Sequence, residues 1–180
     1  MEDFWHAAAG DSLSFAEHKK AYRKVISHKR EYFDLLSFDT VIEVAAGTGA
    51  LSSVMADHGM RVTAIERAGD KLNEARQNTR GQNIHFVQAD VFPAIPFQDK
   101  IFDLAVTSFL AHSLSEEERL WLYKEMARVS KYQILIYDYA DSGIRDELFY
   151  CNIGLDISFV AVEQIMVDEL TAWYVATPAG

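Results

Sequence analysis

The chain has 180 residues, 49% of them hydrophobic and 24% charged, with only 3 Pro and 9 Gly, a composition that fits one globular domain and excludes a disordered or collagen-like chain. Its 17 basic and 27 acidic side chains leave a formal charge of −10, which repels polyanions and argues against nucleic acid or an anionic membrane as partner. No apolar run approaches the roughly 20 residues of a membrane span, and the opening MEDFWHAAAGDS lacks the basic and apolar segments of a signal peptide, so the cytoplasm is the expected compartment.

Cys151 is the single cysteine; it rules out an internal disulfide and any multi-cysteine metal site. His6, His18, His28, His58, His85 and His112 show no metal-type spacing, so no metal is expected. Phe4, Trp5 and His6 form either a lid or a tail. Ser14 and Glu17 fit a capping box, and Tyr22, Val25, Ile26, Phe33 and Leu36 recur at helical spacing, which predicts a helix from about Phe15 to Leu36 within an N-terminal segment 1–38. Lys19, Lys20, Arg23, Lys24 and the HKRE run from His28 to Glu31 read as a solvated face of that helix.

From Thr40 strands and helices alternate. The apolar run Val41 to Ala46 ends at Gly47 and Gly49, and a helix carrying Leu51, Val54 and Met55 then stops at Gly59. Arg61 to Glu66 reads as a strand, Asp70 to Arg80 as a helix with Asp70 as cap and Gly81 as stop, and Asn83 to Ala89 as a third strand. Phe102 to Ser108 is a fourth strand, Ser115 and Glu118 cap a helix reaching Val129, and Tyr132 to Tyr139 is a fifth strand. After a short piece near Gly143 to Cys151, Ile157 to Asp168 and Thr171 to Thr177 are strand-like and too close together for a crossover, so they must form an antiparallel hairpin. The expected architecture is an α/β, doubly wound, mostly parallel seven-stranded sheet with a terminal antiparallel hairpin and an added N-terminal helix. It is read as a single domain, 1–180, with a Rossmann-like core over 39–180.

Ligands of such sheets sit beyond the carboxyl ends of the strands. Gly47 and Gly49 occupy the first of these turns, where the backbone bends sharply and opens a helix. Glu66 closes the second strand, where a carboxylate can accept from both hydroxyls of an adenosine ribose. A nicotinamide fingerprint would want a glycine three positions after Gly49, and Ser52 stands there.

With Glu43 inside the first strand and Asp90 ending the third, this arrangement resembles the class I S-adenosylmethionine-dependent methyltransferases over about Thr40 to Tyr139. The family's acid-x-G-x-G-x-G motif maps onto Glu43, Ala45, Gly47 and Gly49, with Ala45 in place of the usual first glycine. The resemblance implies S-adenosylmethionine as cofactor, with the glycine turn near its methionine part and Glu66 on the ribose beside Arg67. It further implies Asp90 and the Val91 amide on the adenine, and Ser108 and Phe109 against the cofactor where the substrate pocket begins. Glu43, Glu66, Asp90 and Asp138 would make a mouth suited to a sulfonium cation. Tyr22, His112 and Tyr139 are candidate pocket residues; Tyr22 equally suits core packing, and His112 reads either as a proton acceptor with a neutral-range pKa or as a plain loop residue. No catalytic residue is assigned, because methyl transfer needs positioning more than a base. Nothing at Ser108 to Ala111 resembles the proline-rich amino-group motif of DNA methyltransferases, which with the charge favours a small-molecule acceptor; the short stretch between the fifth strand and the hairpin leaves an acceptor site that is shallow, closed by the first helix, or completed by a second subunit of a homodimer. A non-catalytic cofactor-binding or scaffold protein and an NAD-dependent oxidoreductase are the alternatives.

Overall fold

The computed structural model describes residues 13–28, 35–140 and 159–179. The expectations for Phe4, Trp5 and His6, for Lys29 to Glu31 and Phe33, and for Gly143 to Cys151 lie outside the described residues. Two compact units divide the chain after Gln88.

The first unit opens with helix α1, Phe15–His28. The expected capping box is present: Glu17 accepts from the Ser14 amide at 2.9 Å and the Ser14 hydroxyl at 2.6 Å, and the Glu17 amide donates back to the Ser14 hydroxyl at 3.4 Å. The described helix covers Phe15–His28 of the expected Phe15 to Leu36, residues 29–34 lie outside the described residues, and Leu35–Ser37 is a 3-10 turn. The basic face is solvated at Lys20, Arg23 and Lys24, all exposed, with Lys19 half-buried, and Lys19 at 2.9 Å and Arg23 at 2.7 Å both pair with Asp57 of the next helix. Ala21, Tyr22, Val25 and Ile26 form the buried face of α1.

Strand β1, Thr40–Val44, leads through the glycine turn to α2, Ala50–Asp57; β2, Arg61–Glu66, leads to α3, Gly69–Asn78, and β3, Ile84–Gln88, closes the unit. β1 pairs with β2 and β2 with β3, both in parallel. Near-continuous burial of Val41 to Val44 is what a parallel strand covered on both faces demands. Asp70 does not cap α3. Its N-cap is Ala68 in an extended conformation, and Asp70 lies in the first turn, where its charge complements the helix dipole. The helix stops at Asn78, where Thr79 returns its hydroxyl to the Ala75 carbonyl at 2.8 Å.

In the second unit β4, Phe102–Ser108, is followed by α4, Glu116–Val129, and β5, Ser130–Tyr139; β6, Phe159–Met166, and β7, Thr171–Pro178, follow. The Ser115 and Glu118 capping box is complete. α4 runs straight into β5, which therefore starts two residues before the expected Tyr132. β4 and β5 are parallel, β7 is antiparallel to β5, and β6 is antiparallel to β7. Only β7 is reversed. The hairpin turn is held by Asp168, whose Oδ1 accepts the Leu170 and Thr171 amides at 2.8 Å each. The seven-stranded sheet has the order β3-β2-β1-β4-β5-β7-β6.

The loop before β4 is tied down by Arg128 of α4, which donates to the Ile95 and Phe97 carbonyls at 2.9 and 2.7 Å and pairs with Glu125 and Asp99. Its planar fork lets one side chain bond Ile95, Phe97 and Asp99 of the loop at once.

Candidate functional site

In the first unit the turn after β1 carries three positive φ angles at alternate positions: Ala45 at 60°, Gly47 at 53° and Gly49 at 78°. At Gly49 a Cβ would also lie 3.1 Å from the Ala75 Cβ and 3.4 Å from the Phe86 ring, so close packing as well as conformation requires glycine there. At Gly47 a Cβ would meet nothing within 4 Å; only the backbone angle demands glycine. Ala45 keeps the same left-handed conformation with a methyl group, at a cost of roughly 1–2 kcal/mol. Ala45→Gly is therefore expected to raise unfolding free energy by about 1 kcal/mol, read as an increase in the urea midpoint; an unchanged or lower midpoint would contradict it.

Glu66, at the end of β2, points its carboxylate at this turn. One oxygen accepts the Gly47 amide at 2.9 Å and the other the Ala68 amide at 2.8 Å. The same side chain thus pins the glycine turn and the entry to α3. An ionised carboxylate has about four acceptor positions, so two bonds to backbone leave capacity on both oxygens. Residue exposure is 9%.

Glu43 behaves differently from the rim anion expected of it. It is 1% exposed and accepts a short hydrogen bond from the Ser52 hydroxyl of α2. Burial pushes its carboxyl up to about 8, against the lowering effect of Ser52 and with a small further push from Glu66. Glu43 is therefore mostly protonated at neutral pH, and it fastens the start of α2 to β1 beneath the glycine turn. Arg67 is exposed, and its carbonyl accepts from the Gln88 amide group at 3.2 Å.

In the second unit Asp90 is exposed and its Oδ1 accepts the Phe92 amide at 3.0 Å, with Val91 half-buried between them. Ser108 pairs with Tyr137 in the β4–β5 ladder, and the next residue, Phe109, has φ 48° and donates its amide to the Tyr137 carbonyl at 2.8 Å. Asp138 is 1% exposed. It accepts from His112 Nδ1 at 2.9 Å, from the His112 amide at 3.2 Å and from the Tyr139 amide at 2.8 Å. The expected pocket residues His112 and Tyr139 are thus brought together, with ring centroids 4.9 Å apart, and Phe109 lies edge-on to both. Tyr22 is 7% exposed, buried like its neighbours on α1.

Sequence reasoning missed two pairings, Glu43 with Ser52 and His112 with Asp138. The second pair lies 26 residues apart; its signal is that both residues follow or end adjacent parallel strands, β4 and β5. Among the described residues no group of three or more His, Cys, Asp or Glu is placed to hold a metal, and no helix is long and apolar enough to cross a membrane.

A mostly parallel sheet with one reversed strand next to its last member, a glycine-type turn after β1 and an acid at the end of β2 define the class I methyltransferase fold. The family described as "Methyltransferase domain" matches residues 41–133, and the chain belongs to it. A demethylmenaquinone methyltransferase of Renibacterium salmoninarum is 35% identical over 91 residues, 51% of this chain and 36% of that protein. The chain spans about a third to a half of the length of the curated relatives it matches. Two solved structures share the fold. The PH0226 protein of Pyrococcus horikoshii OT3 has a TM-score of 0.76 at 18% identity, covering 99% of this chain and 100% of that one. Magnesium protoporphyrin IX methyltransferase from Synechocystis, crystallised with bound SAM, has a TM-score of 0.69 at 16% identity, covering 98% and 90%.

Proposed function

We propose that the chain transfers a methyl group from S-adenosylmethionine to a small-molecule acceptor. The observation that carries this is the Glu66 carboxylate, held by the Gly47 and Ala68 amides with acceptor capacity left on both oxygens. Such a group fits the two vicinal hydroxyls of a ribose and disfavours a 2′-phosphate. The three left-handed residues at 45, 47 and 49 let the backbone approach the methionine part closely, and α2 begins there with its amide groups outward.

S-adenosylmethionine, when bound, supplies a methyl group on a sulfonium whose leaving group departs neutral. The chain's own work is to bind and orient. Asp90 accepts from the adenine amine and the Val91 amide donates to the ring, while Ser108 and Phe109 flank the cofactor from the end of β4, each role carried by the family resemblance. Positioning of this kind supplies about 7–11 kcal/mol of the barrier. The relatives named as acting on a menaquinone precursor and a porphyrin support a small organic acceptor, and the charge of −10 argues against nucleic acid.

The test is incubation with methyl-labelled S-adenosylmethionine and a fractionated metabolite extract. Label is expected in a low-mass product, and appearance of label in no fraction would contradict the proposal.

A further inference from the structure

We propose that Glu43 reads the charge of the cofactor: it keeps a proton in the free chain and beside the neutral product, releases it when the positively charged donor binds, and so makes the chain favour donor over product. The proposal rests on the methyltransferase function above. Glu43 lies in β1 two residues before Ala45, where the left-handed turn begins, and both it and its ladder partner Ala64 are buried, at 1% and 0% exposure. Its carboxyl takes a short hydrogen bond from the hydroxyl of Ser52, the third residue of α2, and a second from the Ser52 amide. Gly49, the N-cap of that helix, offers no side-chain bond, so Glu43 does a cap's work from the neighbouring strand. One carboxyl therefore joins the two elements that flank the cofactor turn.

No cation among the described residues balances this carboxyl; Ser52 of α2 and Glu66 of β2 are the groups seen to act on it. β1 holds no other charged side chain, and Asp57 at the far end of α2 is taken up by Lys19 and Arg23. An ionised carboxylate enclosed without a counter-charge is costly, and burial accordingly keeps the group protonated, with its pKa raised to about 8. Donor and product differ by one charge at sulfur, a sulfonium in the donor and a neutral thioether in the product. A positive charge entering at the turn supplies what Glu43 lacks, and an opposite charge nearby lowers a carboxyl pKa by about 1–3. The released proton passes to water. When the acceptor bonds to the methyl carbon, the electron pair of the breaking carbon–sulfur bond stays on sulfur, the counter-charge is gone, and Glu43 takes a proton back from water. The Ser52 contact persists throughout, because either the hydroxyl or the protonated carboxyl can donate. The turn stays fastened while the charge beneath it changes.

The experiment titrates the whole chain with S-adenosylmethionine and with S-adenosylhomocysteine by calorimetry, in paired buffers of different ionisation enthalpy so that released protons are counted. At low pH Glu43 is protonated whichever ligand is bound, and the donor-to-product affinity ratio is flat. As pH rises toward about 8 only the donor complex has lost the proton, so the ratio climbs; above that value both complexes are ionised and it levels off. Between about pH 6 and 9 the ratio should rise about 10-fold or more in the parent chain relative to Glu43→Gln. The glutamine keeps an oxygen for the Ser52 donors and has no proton to lose, and ionisation of the ligands' own groups is common to the two proteins. Excess proton release on donor binding should vanish in the variant as well. Carbon-13 NMR of the glutamate carboxyls gives a reading on the parent chain alone: one buried carboxyl should titrate near 8 with the product bound and lower with the donor. Equal proton counts and parallel ratios in parent and variant, or the same carboxyl titration with both ligands, would overturn the proposal. Binding of both ligands without these differences removes only the role of Glu43, whereas absence of binding removes the methyltransferase function itself.

Discussion

Glu66→Ala should weaken binding of S-adenosylhomocysteine by about 1.5–3 kcal/mol, roughly 10- to 150-fold, because a charged hydrogen-bond acceptor for the ribose is lost. The same substitution strips the Gly47 and Ala68 amides of their acceptor, so the glycine turn loses its anchor together with the ligand's. Glu66→Gln is expected to fare little better. One of its two terminal atoms becomes an N–H donor, and both positions face a backbone N–H, so one amide must confront a donor. Both variants should stay folded, since the carboxylate sits at a strand end and not in the middle of the core. Titration calorimetry on the three proteins decides the matter. Equal affinity of Glu66→Ala and the parent chain would remove Glu66 from the cofactor site.

Glu43→Gln should make the protein more stable at pH 8 than the parent chain and about equally stable near pH 5. The folded state raises the Glu43 carboxyl from an ordinary 4.5 to about 8. Between those values the folded chain keeps a proton that the unfolded chain releases, so the stability of the parent chain falls as pH rises through this window and levels off above it. Each tenfold change in proton affinity is worth roughly 1.4 kcal/mol, so the full difference is on the order of 5 kcal/mol. Glutamine keeps the shape and a carbonyl oxygen for the Ser52 hydroxyl but has nothing to ionise. Urea unfolding of both proteins from pH 5 to 9 isolates the residue, because every other titrating group is common to the pair. Parallel stability curves would mean that Glu43 does not hold its proton in the fold.

Much of the architecture was legible because local signals and tertiary demands agreed. Apolar runs ending at Gly47 and Gly49, and at Glu66, marked strands whose boundaries coincide with those of β1 and β2 to within two residues, and the Ser115 and Glu118 pair placed α4 correctly. Asp70 misled because its side chain suits a cap, yet the chain enters α3 from a strand end where Glu66 already holds the Ala68 amide, which sets the first helical turn earlier. The charge state of Glu43 was illegible for a different reason. Spacing puts an acid in the first strand but says nothing of how completely the sheet and α2 remove it from water. The role of Asp138 was likewise hidden until β4 and β5 were seen side by side, because a contact between a residue after one strand and a residue at the end of the next depends on register. Ala45 shows the converse: the sequence flags a missing glycine, and the backbone adopts the glycine conformation regardless, at 60°, storing strain that Ala45→Gly should release.

The most direct test is parallel calorimetric titration of the intact chain with S-adenosylhomocysteine and with NAD. One-site binding of S-adenosylhomocysteine, lost or weakened in Glu66→Ala and absent for NAD, is the predicted result. Binding of NAD alone, or no heat with S-adenosylhomocysteine at saturating concentration, would contradict it.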